Sequence, residues 1–365
     1  MTKGKNLIKK VVFGVIALLL AVVLIVGGYA LYLVLSYYRI EDNKQLSVRE
    51  GSSRLASVGV EYSALTYNVG FCAYLPDFGF FMDGGSESRA KSKESVLSTL
   101  SSINQLIEGF NADFIMLEEV DEKATRSYKV NQREIIENKF TAYDGVFACN
   151  YDSGYLFYPI FEPHGKSKSG MLTLSKYNIE SQTAIRKSLP IETGFTKFFD
   201  LDRCYSKTYV QVENGKKLVL FTAHLSAYTT DGKIANEQIK ILTQDMQAEY
   251  EKGNYVICGG DFNKDLLGNS EEIFGRSGEG QTWAQPFPTE YLEGKDLTLV
   301  SSLNEENPLP SCRNADGPYN DKQFVLTVDG FLVSANVSVN SCYVSNGEFL
   351  YSDHNPVMLK FVLNA

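Results

Sequence analysis

Two oxygen-bearing side chains, Asp261 and Asn263, follow Gly259-Gly260 at the end of a short apolar segment that begins at residue 255. Because they are spaced i and i+2 after a strand, they extend to the same side of the chain. The segment therefore presents oxygen atoms at one place. The sequence Gly-Gly-Asp-Phe-Asn is also typical of a turn, so this run alone leaves a turn and a chemical site as alternatives.

Polar residues of the same kind lie near the ends of other apolar segments. An asparagine at a strand end is commonly a turn former, and a histidine there is commonly a hydrogen-bonded core residue. Each position by itself thus has an ordinary structural explanation, but the whole series in chain order favours a site. The other members of the series are Asn68, Glu119, His224, Asp329, Asp353 and His354.

The elements that must position these residues are predicted strands separated by helices. Strands are predicted over residues 60–69, 113–120, 170–175, 204–213, 217–224, 255–261, 324–333 and 357–363, with Asp329 in the middle of its strand. Helices are predicted over residues 92–110, 131–139 and 234–250. A strand-helix-strand order predicts neighbouring strands in one sheet, whereas Asn214-Gly215 predicts an antiparallel hairpin. The domain is therefore expected to be mixed α/β.

The first 38 residues differ from the rest in composition. Residues 1–10 contain four lysines, and residues 11–38 are uncharged, mostly apolar and long enough as a helix to cross a bilayer. A cleaved signal peptide has a shorter apolar region, so we expect an uncleaved transmembrane anchor. The lysines before the span predict a cytoplasmic N-terminus and an extracellular catalytic domain. Residues 39–58, rich in charge and serine, are predicted to be a tether to a domain over residues 59–365.

Net charge limits the partners of that domain. The whole chain has 35 basic and 44 acidic residues, and residues 1–38 hold four lysines and no acidic residue. The rest of the chain therefore carries 31 basic and 44 acidic residues, a net charge of −13. A broad basic face for nucleic acid is not evident from these numbers, although a bound cation and a few arginines can hold a phosphate in an acidic protein.

The cysteines and the third histidine give weaker signals. None of the six cysteines lies in a Cys-x-x-Cys pair or at zinc-finger spacing. An exported domain could bridge Cys312 to Cys342, which the sequence leaves open. His164 lies in a polar loop, and we expect it at the surface or at a pocket rim.

Six short motifs resemble those of the endonuclease/exonuclease/phosphatase superfamily, in a membrane-anchored bacterial form. They are Tyr67-Asn68-Val69, Leu117-Glu118-Glu119-Val120, Ala223-His224-Leu225, Gly260-Asp261-Phe262-Asn263, Val328-Asp329-Gly330 and Ser352-Asp353-His354-Asn355-Pro356. The resemblance covers about residues 59–365. One departure is Glu118, which stands where the family usually has glutamine, so Glu119 is assigned as a ligand by motif register.

The resemblance implies a fold and a set of roles. The fold would be a four-layer α/β sandwich of two mixed β-sheets flanked by helices, with the site between the sheets. Mg²⁺, or else Mn²⁺ or Ca²⁺, would neutralise phosphate charge. The implied metal ligands are Asn68, Glu119 and Asp353; the implied catalytic residues are His224, Asp261, Asn263, Asp329 and His354, with His354 as general base; Arg203 and Arg313 would contact the substrate anion.

These features predict a metal-dependent phosphoester hydrolase, in monomeric form, anchored in the cell membrane. A lipid-linked or small phosphoester is favoured as substrate because the domain is acidic and tethered to a membrane. An anchored extracellular endonuclease or exonuclease is the alternative. A non-catalytic binding ectodomain is less favoured, since none of the expected catalytic residues is missing.

Overall fold

The computed structural model describes residues 2–198, 200–227, 232–302 and 307–365. The chain divides into two compact units, Met1–Arg39 and Ile40–Ala365. The first unit contains helix α1, Thr2–Ser36. Residues Gly4–Ser36 of this helix have a mean hydropathy of 3.0, which makes the helix long and apolar enough to cross a membrane.

The second unit contains the remaining elements. Its helices are α2 (Lys93–Phe110), α3 (Gln132–Lys139), α4 (Lys233–Glu251) and α5 (Ser270–Phe274). Its first eight strands are β1 (Lys44–Gln45), β2 (Val48–Arg49), β3 (Glu61–Asn68), β4 (Phe114–Asp121), β5 (Asp144–Asp152), β6 (Lys168–Ser175), β7 (Ile185–Ser188) and β8 (Cys204–Gln211). The others are β9 (Lys217–His224), β10 (Tyr255–Asp261), β11 (Leu297–Val300), β12 (Cys312–Arg313), β13 (Val325–Leu326), β14 (Asp329–Ser334), β15 (Val337–Val344) and β16 (Val357–Leu363).

Two seven-stranded mixed sheets form the centre of this unit. One has the strand order β1-β7-β8-β9-β10-β14-β11, and the other has the order β15-β16-β3-β4-β6-β5-β2. Each sheet has one parallel pair, β9 with β10 and β3 with β4, and the helices α4 and α2 make the two crossovers. The predicted hairpin at residues 214–215 joins β8 to β9.

Three clusters of buried apolar residues explain the layered arrangement of the sheets and helices. One apolar cluster lies between the sheets and includes Met116, Ile257 and Phe331. The buried face of α2 packs in a second cluster with residues of β3 and β4, and that of α4 packs in a third with residues of β9 and β10. The helices thus cover the outer faces of both sheets, and the predicted four-layer sandwich is confirmed.

The segment over residues 40–58 differs from the predicted tether. Its strands β1 and β2 pair with β7 and β5, one in each sheet. Leu46 and Ala56 are buried, and the Asp144 carboxylate accepts hydrogen bonds of 2.7 Å from the backbone N–H groups of residues 51 and 52. Composition suggests a loose segment, but these long-range contacts join it to the folded domain.

The predicted strand over residues 324–333 is also divided in the structure. Val325–Leu326 forms β13, which pairs with β12 in a small separate ribbon, and β14 begins at Asp329. Asp329 therefore starts a strand instead of lying within one. The Ser311 hydroxyl stabilises this break, because it accepts hydrogen bonds from the backbone N–H groups of Val328 and Asp329.

Candidate active site

The polar residues predicted at strand ends meet at one edge of each sheet. In one sheet, Asp261 on β10 lies beside His224 on β9 and Asp329 on β14. Asp329 reaches this edge at the start of its strand because β14 runs antiparallel to β10. In the other sheet, Asn68 ends β3 beside Glu118 on β4. The two edges face each other across one pocket.

The glycine pair before Asp261 permits this close packing. A Cβ atom at Gly260 would lie 1.9 Å from the backbone oxygen of Ala223 on the neighbouring strand. A Cβ atom at Gly259 would lie 2.5 Å from the sulfur of Met116 in the opposite sheet. Any larger residue would therefore separate β10 from β9 or one sheet from the other.

A histidine–aspartate pair lies at the centre of the site. The Nδ1 atom of His354 is 2.8 Å from Oδ2 of Asp329, and the same oxygen accepts a 2.7 Å hydrogen bond from the Ser311 hydroxyl. Burial lowers the pKa of His354, but the adjacent Asp329 carboxylate and other acidic groups nearby outweigh this effect and raise the pKa well above its ordinary value. The pair therefore holds a proton on Nδ1 and directs Nε2 toward the pocket.

Asp261 lies between the two histidines. Its Oδ2 atom accepts a 3.1 Å hydrogen bond from Asn68 and lies 3.6 Å from Nε2 of His224 and 3.8 Å from Nε2 of His354. Burial is the main cause that raises the pKa of Asp261 to about 7, and the nearby Asp329 carboxylate adds to it. A carboxyl group with such a pKa can exchange a proton near neutral pH.

His224 and Asn263 are fixed around Asp261. Burial, together with the nearby charge of Arg203, lowers the pKa of His224 well below its ordinary value, so its imidazole is neutral. Asn263 has a left-handed backbone with φ of 50°. Its N–H donates to Asp261 Oδ1 at 2.9 Å, and its carboxamide nitrogen donates to the carbonyl oxygen of Leu225 at 2.8 Å.

A bulge in β4 separates the two adjacent glutamates. The register between β4 and β6 shifts between Leu117 and Val120, and Glu119 adopts a positive φ of 56°. The Glu118 side chain is consequently fully buried and accepts a hydrogen bond from Thr66, while Glu119 lies on the pocket wall. The bulge therefore selects Glu119 as the residue that faces the site.

Three residues that line the pocket offer hard oxygen ligands, namely Glu119, Asn68 and Asp353. Burial is the main cause that raises the pKa of both Glu119 and Asp353. A divalent cation would favour the ionised form of both carboxyl groups, and carboxylate and carboxamide oxygens suit Mg²⁺, Mn²⁺ or Ca²⁺. This donor set fits the implied metal.

A second group of potential ligand atoms, on Asp261, Asp329 and His354, also lies within 4.8 Å. In this group Nδ1 of His354 is already hydrogen-bonded to Asp329. A cation held between Nδ1 of His354 and Oδ2 of Asp329 would have to replace that bond. The group is therefore better explained as the proton-holding pair with Asp261 beside it.

The two predicted anion contacts have different surroundings. Arg203 lines the pocket, donates to the His224 carbonyl oxygen at 3.4 Å, and has a buried Nε with no hydrogen-bond partner in the described part of the chain. Arg313 is 1% exposed, and its Nη2 donates to the carbonyl oxygens of Leu75 at 3.1 Å and Phe78 at 3.4 Å. These bonds join two loops, but Arg313 also lines the pocket and its buried Nε has no hydrogen-bond partner in the described part of the chain, so both arginines keep a donor for a substrate anion.

Two site residues were not expected from the sequence. Arg126 lines the pocket, where its guanidinium lies 3.0 Å from Asp121, 3.8 Å from Glu119 and over the ring of Phe71. Cys312 places its sulfur 3.5 Å from Nε2 of His354, and burial raises the pKa of this thiol to about 12. Neither residue ends a predicted strand in an apolar segment, so no local signal marks it.

The structure corrects the expectation for His164 and answers the question that the sequence leaves open for the cysteines. His164 is 4% exposed and lines the pocket wall, with Nδ1 3.1 Å from the Ser88 carbonyl oxygen, so the expectation of a surface or rim residue was wrong. All six cysteines are free thiols, and Cys312 and Cys342 form no bridge.

The pocket encloses about 360 Å³. Its floor is polar and contains the residues described above. Much of its wall is apolar or aromatic, formed by Tyr74, Phe80, Met82, Tyr151, Leu201 and Trp283. The site can therefore hold a charged group at its base and an apolar group beside it.

Comparison with known proteins identifies the type of domain. A sequence model of the Endonuclease/Exonuclease/phosphatase family matches residues 65–354. None of the curated proteins compared matches the chain significantly in sequence.

Solved structures of this family share the fold. An endonuclease/exonuclease/phosphatase from Beutenbergia cavernae DSM 12333 aligns with a TM-score of 0.57 and 16% identity, over 84% of this chain and 72% of that chain. ANGEL2, a 2′,3′-cyclic phosphatase in complex with adenosine-2′,3′-vanadate, aligns with a TM-score of 0.56 and 14% identity, over 88% and 99% of the two chains. The human Nocturnin catalytic domain with bound sulfate aligns with a TM-score of 0.52 and 14% identity, over 87% and 97%.

Proposed function

The chain belongs to the Endonuclease/Exonuclease/phosphatase family, whose members hydrolyse phosphoester bonds, and from this premise we propose a divalent-metal-dependent hydrolase of a lipid-linked or small phosphoester. We further propose that helix α1 anchors it in the cell membrane. The observation that carries the reaction class is the arrangement of Asp261, His224 and the Asp329–His354 pair opposite Glu119 in one pocket.

Glu119, Asn68 and Asp353 would hold the metal. A divalent cation bound there supplies positive charge that offsets the negative charge of the phosphate oxygens. The neighbouring Arg126, 3.8 Å from Glu119, and the hydrogen bond from Asn68 to Glu119 at 3.4 Å keep the Glu119 carboxylate in place on the pocket wall.

Asp261 and His354 are the groups that move the proton of the attacking water. The Asp329 carboxylate fixes one proton on Nδ1 of His354, which leaves Nε2 and the Asp261 carboxylate side by side on the pocket floor at 3.8 Å. A water between them would be oriented by Asn263 and would lose its proton to the Asp261 carboxylate, whose pKa of about 7 lets it accept one near neutral pH, while Nε2 of His354 hydrogen-bonds beside it. Such acid–base groups typically contribute about 10²–10⁴-fold to the rate.

His224 and Arg203 would bind the phosphoryl oxygens. His224 is neutral, and its Nε2 lies 3.6 Å from Oδ2 of Asp261. Arg203 adds a buried positive charge whose Nε still offers a donor. Charge-assisted hydrogen bonds of this kind stabilise the charge that develops on the phosphoryl group.

The choice of substrate depends on charge and on the pocket walls. The region after residue 38 has a net charge of −13, which gives polymeric nucleic acid little long-range attraction. The apolar part of the wall suits a substrate with an apolar group next to its phosphate. A nuclease remains the alternative function, because family members act on several classes of phosphoester.

The test is a turnover assay of the full chain in lipid nanodiscs with Mg²⁺ or with EDTA. The substrates are bis(p-nitrophenyl) phosphate, phospholipids, inositol phosphates, RNA and plasmid DNA. We expect EDTA to abolish turnover. Loss of a residue that only supports a metal ligand typically lowers activity by roughly 10–100-fold, and we expect Glu119→Gln, which removes a ligand, to lower turnover by more than this. The matched control is Glu61→Gln, an exposed glutamate on the far end of β3.

Two results would contradict the proposal. Full turnover in EDTA, or in Glu119→Gln, would show that the ligand assignment is wrong. Efficient plasmid cleavage at physiological salt, with no product from lipids or inositol phosphates, would identify the enzyme as an anchored nuclease.

A further inference from the structure

Large apolar side chains are exposed on segments that adjoin the pocket lining in sequence or through contacts. We name this set the aromatic rim and define it as Met82, Phe157, Tyr158, Ile160, Phe161 and Phe195. Their exposed fractions range from 55% for Met82 to 102% for Phe161, with 78% for Ile160 and 65% for Tyr158. Contiguous exposed apolar groups next to a site are typical of surfaces that bind a partner or a membrane.

Contacts connect the rim to the pocket wall. Leu156 pairs with Gly165 across a short antiparallel bridge, so residues 157–163 form a projecting loop. The N–H of His164, a wall residue, donates to the Tyr158 carbonyl oxygen at 3.1 Å. The ring of Tyr158 also packs against Phe81 with a centroid distance of 5.6 Å, and Phe81 lies between the wall residues Phe80 and Met82.

The start of the catalytic domain contacts a residue that is next in sequence to the pocket lining. The N–H of Ile40 donates to the Asp202 carboxylate at 2.7 Å, and Asp202 also pairs with Arg186 at 3.0 Å. The next residue after Asp202 is Arg203, which lines the pocket and bonds to His224. Residue 40 is the first residue of the catalytic domain and directly follows the apolar N-terminal unit in sequence.

We propose that the aromatic rim inserts into the surface of the lipid bilayer and that the pocket takes its phosphoester from a membrane lipid. Helix α1, which is long and apolar enough to cross a membrane, belongs to the same chain, and this fact together with the apolar part of the pocket wall favours a bilayer over a second copy of the chain. Tyrosine and phenylalanine side chains are well suited to the boundary between headgroups and acyl chains. The lipid phosphate would then reach the polar floor while its apolar part contacts the wall.

A direct test places a reporter on the rim. The full chain with Phe161→Trp is reconstituted in nanodiscs of phosphatidylcholine or of brominated phosphatidylcholine, and tryptophan fluorescence is compared with that of the parent chain, whose single tryptophan is Trp283. We expect a blue-shifted emission that brominated lipid quenches. The matched control is Leu350→Trp, which replaces another exposed apolar residue, 46% exposed and outside the rim, and should not be quenched.

A second test measures turnover. Ile160→Ser combined with Phe161→Ser should lower the hydrolysis of nanodisc phospholipid by about tenfold or more, while the rate on bis(p-nitrophenyl) phosphate stays unchanged. Both side chains are exposed, so their replacement leaves the core intact. Leu97→Ser, on the exposed side of α2, serves as the control.

The lipid substrate in this inference rests on the proposed function, whereas the docking surface does not. Quenching without hydrolysis of any phosphoester would contradict the proposed function and leave the docking surface standing. Hydrolysis of the aryl phosphodiester without quenching would overturn the inference alone, and a blue shift that grows with protein concentration would assign the rim to contacts between copies. Quenching with turnover of the aryl ester but of no phospholipid would overturn the lipid as substrate.

Discussion

The Asp261 side chain connects the two sheets through a hydrogen bond. It accepts a hydrogen bond from Asn68 of one sheet and lies 3.6 Å and 3.8 Å from the two histidines of the site. The same carboxylate receives the N–H of Asn263. The position of this carboxylate therefore depends on residues from distant parts of the chain and on the packing of the two sheets against each other.

The Asp329–His354 pair should behave as one unit. We predict that Asp329→Asn and His354→Ala each lower turnover by about 10²–10⁴-fold and that the double variant is scarcely slower than the worse single one. The reason is the 2.8 Å contact, without which His354 loses its fixed proton on Nδ1. Rate constants are measured on bis(p-nitrophenyl) phosphate. His354→Ala combined with Glu61→Gln is the control, and multiplicative losses in the Asp329 and His354 pair would show that the two residues act separately.

His164 should make stability depend on pH. Burial, and next the positive charge of Arg126, lowers its pKa from the ordinary 6.5 to about 3. Between these values the unfolded chain binds the extra proton, so the stabilisation is complete above pH 6.5 and is lost as the pH falls toward 3.

We therefore predict that His164→Asn, which keeps a donor for the Ser88 carbonyl oxygen, flattens the loss of stability in acid. The difference in the free energy of unfolding between the variant and the parent protein should change by up to about 1.4 kcal/mol per pH unit within that window. The free energy of unfolding is measured by urea denaturation from pH 7 downward. Parallel profiles for the two proteins would show that His164 is not the titrating group.

At the level of elements, two local irregularities position the site. The bulge in β4 turns Glu119 to the pocket while Glu118 stays buried. The break before β14 places Asp329 at the first position of that strand. A regular strand at either place would move the carboxylate to the other face of its sheet. These irregularities explain why the positions of Glu119 and Asp329 could not be read from alternation.

The strands β1 and β2 give a prediction at this scale. A chain that starts at residue 59 loses both edge strands, the buried Leu46 and Ala56, and two hydrogen bonds to Asp144. We expect its free energy of unfolding to be lower by more than about 3 kcal/mol than that of a chain that starts at residue 40. Thermal and urea unfolding compare the two chains. Equal stabilities would support the interpretation of this segment as a tether.

For the whole molecule, the proposed membrane anchor gives a prediction about orientation. Lysines at positions 3, 5, 9 and 10 lie in the first part of helix α1, before its uncharged apolar stretch, which predicts a cytoplasmic N-terminus. We expect protease added to intact cells to digest the catalytic domain and to leave a short N-terminal fragment. A reporter fused before residue 1 should stay protected. Protection of the catalytic domain, with digestion of the reporter, would reverse the proposed orientation.

The sequence by itself determined the features that depend on neighbours along the chain. The apolar helix, the hairpin at Asn214-Gly215, the strand and helix order and the six motifs all consist of local patterns, and the family and the sandwich fold follow from them. These patterns also identified the residue types of the site, since the side chains predicted at strand ends line one pocket. They include Asn68, Glu119, His224, Asp261, Asp353 and His354.

Only the tertiary structure decided which of these atoms meet. The 3.8 Å approach of Arg126 to Glu119, the burial of His164 and the contact of Cys312 with His354 each join segments that are distant in sequence or lie in irregular loops. Arg313 holds loop carbonyls for the same reason. Long-range packing and backbone hydrogen bonds set these positions, and they leave no periodicity in the sequence from which they could be predicted.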